Sequence, residues 1–217
     1  MVANYEPGWL RHSNFLETIS GVFNELPRST EVVIDRKIKK LATGGHKGIE
    51  EYAVIINHDA PKDEPKRVLY LIPGVTGESE GGTMQLLSKA ALDKGYHVFI
   101  SNPLAPCDAS DNTHYELIDF SKNWAIKDAV KTLKETFGDD AEIYAIGFSL
   151  GSNHLIRHLG SHKDCSKKCG IKAAISVSGA FELPTTGIEL KYTAMGIYDR
   201  YILSKVKLPF LGKRFKY

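Results

Sequence analysis

Glu142-Ile143-Tyr144-Ala145-Ile146-Gly147-Phe148-Ser149-Leu150-Gly151-Ser152-Asn153 is the stretch whose reading decides the fold. An apolar run leads into Gly-x-Ser-x-Gly, and a segment with helical spacing follows. Strand, tight turn and helix in that order form the setting of a nucleophile elbow, in which a serine stands on a strained turn with its oxygen exposed above the sheet edge. Gly147 and Gly151 then have a steric job, because a side chain at either would collide with the neighbouring strand or helix. Gly-x-Ser-x-Gly alone also arises as an ordinary turn in glycine-rich chains. The preceding Ile-Tyr-Ala-Ile and the helix pattern beyond it favour the elbow.

On the N-terminal side, residues 120–137 carry Ile126, Val130, Leu133 and Phe137 at spacings of four, three and four, which predicts an amphipathic helix stopped at Gly138. Further back, Arg67-Val-Leu-Tyr-Leu-Ile72 is a continuous apolar run, as expected of a strand buried on both faces. A helix over 83–94 follows, with Met84, Leu87 and Ala91 on one face and Gly95 at its end. Residues 96–100 read as the next strand, before a polar loop with Pro103, Pro106 and Cys107. Residues 32–41 alternate weakly and 51–57 more clearly, and the glycines and His46 between them suggest a hairpin. The charged 61–65 stretch reads as a turn, and 8–27 as an entry segment ended by Pro27. On the C-terminal side, 171–178 is another strand. Beyond Gly179 the strand rhythm stops.

Strands alternating with helices predict an α/β fold: a mostly parallel sheet with helices on both faces. The expected divisions are an entry segment at 1–30, the α/β core at 31–180 and a covering region beginning at 181–217. The 217 residues suit one domain, and 42% hydrophobic with 25% charged residues describes a globular chain. A net charge of +2 argues against a nucleic-acid partner. No apolar stretch reaches the roughly 18 residues needed to span a bilayer, and the N-terminus lacks a signal-peptide pattern. Three cysteines (Cys107, Cys165, Cys169) are too few for a disulfide framework. The expectation is an intracellular protein, cytoplasmic or peripheral to a membrane.

Serine acyl transfer needs an activated hydroxyl, a base held by a third group, and donors for the developing oxyanion. Ser149 is the candidate nucleophile. The backbone amides expected as oxyanion donors are that of Leu150, directly after the serine, and one from the loop after an earlier strand. Pro73-Gly74-Val75-Thr76-Gly77 follows the buried 67–72 strand, which makes Val75 the choice. Taken alone, that loop is equally a plain strand-to-helix turn.

Leu-Ile-Pro-Gly-Val-Thr-Gly77, followed by Gly147-Phe-Ser-Leu-Gly-Ser-Asn153, resembles the esterase and monoacylglycerol-lipase-like group of α/β-hydrolases, over roughly residues 10–200. That group reads Pro-Gly-Leu-Thr-Gly and Gly-Phe-Ser-Leu-Gly-x-Asn at these places. The chain departs from it at Asn102-Pro103, where the group shows Asn-His-Arg-Gly. The resemblance implies an α/β-hydrolase fold, hydrolysis of acyl esters in lipid metabolism, and neither metal nor organic cofactor. It also implies that 181–217 opens the cap over the acyl pocket.

The triad partners should follow the serine in the order acid, then histidine. The histidines are His12, His46, His58, His97, His114, His154, His158 and His162, and none comes later. His154, His158 and His162 fall on or just past the helix that starts at the elbow, a poor place for a base. Glu182, Glu189 and Asp199 have the right order for the acid, yet none follows a strand. Neither partner is assigned. The expectation is a chain lacking the last strands and most of the cap, with the acid and histidine encoded beyond Tyr217; a non-catalytic lipid- or partner-binding module is the alternative. His158, His162, Cys165 and Cys169 have spacings compatible with zinc but read better as a polar helix-to-strand connection. The tail 205–217 carries five positive charges with aromatics and no acid, which suits either an exposed cap fragment or peripheral contact with an anionic lipid surface.

Overall fold

Successive side chains along a strand point to opposite faces, so a run apolar at every position, such as 67–72, needs cover on both sides. The computed structural model describes residues 35–43, 46–62, 65–74, 77, 79–102, 124–161, 170–192, 196–197, 199–200 and 203–204. Its elements are β1 (Asp35–Thr43), β2 (His46–Ile55), β3 (Arg67–Ile72), α1 (Gly82–Leu92), β4 (His97–Asn102), α2 (Trp124–Phe137), β5 (Glu142–Phe148), α3 (Leu150–Gly160), β6 (Ile171–Val177) and α4 (Leu183–Tyr192). The expected entry segment, the proline loop at 103–107, the cysteine-bearing 162–169 connection and the basic tail lie outside the described residues.

The six strands form one sheet in the order β1-β2-β4-β3-β5-β6. β4, β3, β5 and β6 are mutually parallel, while β2 joins β4 antiparallel and β1 joins β2 antiparallel. Thr43 stands opposite His46, so two residues connect β1 to β2 as a hairpin. The mostly parallel sheet with helices on both faces is thus present. One face carries Val54, Val68, Tyr70, Phe99, Ile143 and Ala145, packed with Ile126, Leu133 and Phe137 of α2 and Leu155 of α3. The other carries Ala53, Ile55, Leu71, Val98 and Ile100 against Met84 and Ala91 of α1.

Glycines end the helices where a left-handed residue is needed. Gly95 (φ 80°) follows α1, with its N–H bonded to the Leu92 carbonyl and the Tyr96 N–H to that of Ala91; this double closure satisfies carbonyls left open at the helix end. Gly138 (φ 111°) ends α2 in the same conformation. Observed ends differ from the sequence reading by a few residues, as helix and strand termini commonly do.

β6 departs from the pattern. Ile143 pairs with Ile171 but Tyr144 with Ala173, so Lys172 is an extra residue. Such a bulge reverses which face the following side chains meet. Ser176 therefore turns toward α3 and Ile175 toward the α1 side, where Ile175 is 57% exposed. Lys172 donates to Glu142 Oε1 at 2.8 Å, pinning the bulge to the start of β5. α4 buries none of its residues. No helix among the described residues is long and apolar enough to cross a membrane.

Candidate active site

β5 ends at Phe148 and α3 begins at Leu150, leaving Ser149 alone to make the corner. It does so at φ 49°, ψ −114° and remains exposed. A non-glycine residue in such a conformation costs on the order of 1–3 kcal/mol and persists only where its surroundings over-determine it. Those surroundings are explicit here. The Ser149 N–H donates to the Val177 carbonyl of β6 at 2.9 Å, and the Ser149 carbonyl accepts from the Ser152 and Asn153 amides at 3.1 and 3.3 Å.

The two elbow glycines have the steric role their spacing predicts. A Cβ on Gly147 would lie 2.7 Å from the Gly151 carbonyl oxygen and from Ser152 Cα, inside the first turn of α3. A Cβ on Gly151 would run into the Ile72 and Pro73 carbonyl oxygens at the end of β3. Helix and strand therefore approach to backbone contact, which only glycine allows. This contact brings the Pro73-Gly74 segment to the serine: a Cβ on Gly74 would sit 3.1 Å from Ser149 Cβ and 3.7 Å from its Oγ. The Gly77 N–H donates to the Gly74 carbonyl at 3.1 Å, closing a tight turn. Val75, the expected second oxyanion donor, lies outside the described residues. Leu150 opens α3, whose first amides have no partners within the helix and carry the positive end of its dipole.

The remaining candidates are not gathered at the serine. His154 and His158 are buried in α3, and burial, then the charge of Arg157, holds the His154 pKa below its ordinary value. His97 stands at the opposite end of the sheet, at the start of β4, with its Nδ1 accepting the Asn57 N–H at 3.0 Å. Glu182 is occupied locally: its carboxylate accepts from Thr185 Oγ1 at 2.8 Å and its carbonyl from the Thr186 N–H at 2.9 Å, both at the start of α4. Glu189 is exposed on α4, and Asp199 follows it at 199–200. His162, Cys165 and Cys169 fall outside the described residues. Among those described, no group of three or more His, Cys, Asp or Glu could hold a metal.

Sequence reasoning missed the polar links on the far side of the elbow. Ser152 Oγ hydrogen-bonds Ser176 Oγ of β6, and Asn153 Nδ2 donates to the Ala180 carbonyl. The signal was legible in principle: two polar residues sit in the first turn of a helix that is otherwise packed against the sheet.

Solved structures share this fold. The chain superposes on an esterase of Pyrococcus furiosus with a TM-score of 0.55 at 21% identity, covering 85% of this chain and 69% of that one. It superposes on lipase A of Candida antarctica with a TM-score of 0.53 at 14% identity, covering 88% and 48%.

The fold is that of the α/β-hydrolases. Within that fold Ser149 occupies the turn between the parallel strand β5 and its helix α3. No family model matches the chain. In sequence it is 28% identical over 182 residues to the embryogenesis-associated protein EMB8 of Picea glauca, covering 80% of this chain and 38% of that protein. It is also 28% identical over 144 residues to the monoacylglycerol lipase of Saccharomyces cerevisiae, covering 64% and 30%. The chain thus spans about a third of the length of these curated relatives.

Proposed function

We propose that this chain carries the nucleophile of a serine carboxylic ester hydrolase acting on acyl esters, with Ser149 as the attacking group. The observation that carries the reading is the junction of Ser149 at φ 49° with Gly74, seated so close that a Cβ on the glycine would lie 3.1 Å from Ser149 Cβ. A strained, exposed serine at a helix N-terminus, faced by a second strand-to-helix turn, is what oxyanion stabilisation by two backbone amides requires. The donors in this reading are Leu150 and Val75. The resemblance to esterases and to a monoacylglycerol lipase supports the same chemistry. Phe181, Leu183, Ile188 and Tyr192 stand exposed after β6, which favours an apolar acyl group and contact with a lipid surface. In this reading residues 31–180 form the hydrolase core and 181–217 begin a cap, with acid and histidine supplied by polypeptide outside these residues.

The second reading is a non-catalytic lipid- or partner-binding module. It is favoured by His154 and His158 being buried in α3 rather than presented to the serine. A fluorophosphonate, which phosphonylates an activated serine with loss of fluoride, separates the two. Slow labelling confined to one site and lost in Ser149→Ala supports the hydrolase; an oxyanion hole without its base still leaves on the order of 10³–10⁴-fold catalysis over water. A folded protein that never labels supports the binding module.

A further inference from the structure

We propose that Asn153 is a positioning residue that, with Ser152, clamps the loop after β6 to the elbow, so that the geometry of Ser149 depends on the placement of residues 178–181. The proposal rests on Ser149 being the nucleophile. Three links run from the elbow to the end of β6 and the loop that follows it. The Ser149 N–H bonds Val177, the Ser152 hydroxyl bonds Ser176, and the Asn153 amide bonds the Ala180 carbonyl. The first two hold the last residues of β6, and the third reaches past them to the loop itself.

The loop they grip is itself strained and tightly seated. Ser178, directly after the Val177 that pairs with Phe148, has φ 51°, the only non-glycine residue besides Ser149 in that region among those described. A Cβ on Gly179 would lie 2.5 Å from Ser152 Oγ and 3.2 Å from the Phe181 ring. Two left-handed serines side by side hold such backbone only if something outside them fixes it. The Asn153 side chain meets that need from one turn along the helix. Its Oδ1 is buried with no hydrogen-bond partner among the described residues, so the amide is placed for its donated bond and not for its acceptor. That asymmetry explains an amide here: a carboxylate of the same shape could not donate to Ala180.

The clamp is tested on the full chain with Asn153→Asp, Asn153→Ala and Ser176→Ala. Fluorophosphonate labelling is followed against probe concentration, which separates the saturating rate from the half-saturating concentration. Each variant's unfolding midpoint is measured so that only folded protein is compared. Displacement of a reacting group by about 1 Å can cost 100-fold, so the saturating rate of both Asn153 variants is expected to fall about 10- to 100-fold, with half-saturation changed less than about 3-fold. Ser176→Ala is expected to show a smaller loss of the same kind. Wild-type rates in a folded Asn153→Asp protein overturn the clamp. If the wild-type protein does not label at all, the hydrolase reading fails instead, and the clamp is judged by amide hydrogen exchange. Faster exchange at residues 179–181 in Asn153→Ala, with β3 and β5 unchanged, supports it; unchanged exchange at 179–181 overturns it.

Discussion

Phe99, on β4, is sealed between Tyr52 (stacked, centroids 5.0 Å apart) and Tyr70 (edge-on, 5.5 Å) and is fully buried. Ile175, three strands away on β6, shows 57% of its surface, and Ile188 of α4 shows 59%. The sheet thus has a closed half, β2-β4-β3-β5, covered by α1 on one face and α2 with α3 on the other, and an open half at β6 and α4. Ser149 sits on their border. Its backbone is built by the closed half through Gly151 against β3, while its outer neighbours belong to the open half through Val177 and Ala180. The comparison teaches a division of work. Packing in the closed half places the serine, and the apolar surface of the open half decides what can approach or cover it.

The largest test of this division is Phe99→Ala. Removing a fully buried ring from two aromatic partners is expected to cost about 3–5 kcal/mol, read as a shift of the urea unfolding midpoint. A loss under about 1 kcal/mol would break the claim that the closed half carries the stability.

A smaller effect is expected at His97, also in the closed half. Burial, then the charges of Lys66 and His58, holds its pKa below the ordinary value. Its ring rests on Phe137 with centroids 5.0 Å apart, and its Nδ1 accepts the Asn57 N–H. The native protein takes up a proton at this histidine at lower pH than the unfolded chain, which does so near pH 6.5. The unfolded state therefore binds more protons on acidification, and stability is retained above that pH and lost as pH falls through it. The loss is at most about 1.4 kcal/mol per pH unit for each proton taken up. Comparing unfolding midpoints at pH 7.5 and 5.5, His97→Gln should lose less than wild type on acidification; part of the remaining slope belongs to His154, shifted in the same direction. Equal slopes would remove His97 from the account.

The smallest effect should come from Ile188→Ala in the open half. An exposed substitution is expected to change stability by no more than about 0.5 kcal/mol. A cost near that of Phe99→Ala would show α4 to be packed in solution and would erase the distinction.

Much of this was legible in the residues. Helical spacing in 126–137, the apolar 67–72 run and the stops at Gly95 and Gly138 each follow from one local rule, and all are present. Of the weak alternation at 32–41, residues 35–41 lie in β1, whose hairpin partner was legible in the sequence. The expected collision of side chains at Gly147 and Gly151 is met at backbone distances. Other features had no local signature. That Gly74 lies against Ser149 and that a bulge at Lys172 turns Ile175 outward both depend on strands that are neighbours in space and distant in sequence.

By itself, then, the sequence determined the element types and the strained serine corner, because periodicity and the steric freedom of glycine act within a few residues. Tertiary structure alone decided the strand order, the meeting of the Pro73-Gly74 turn with the elbow, and the links from Ser152 and Asn153 to the exit of β6. Each of these is a contact between segments whose approach is set by packing the whole sheet.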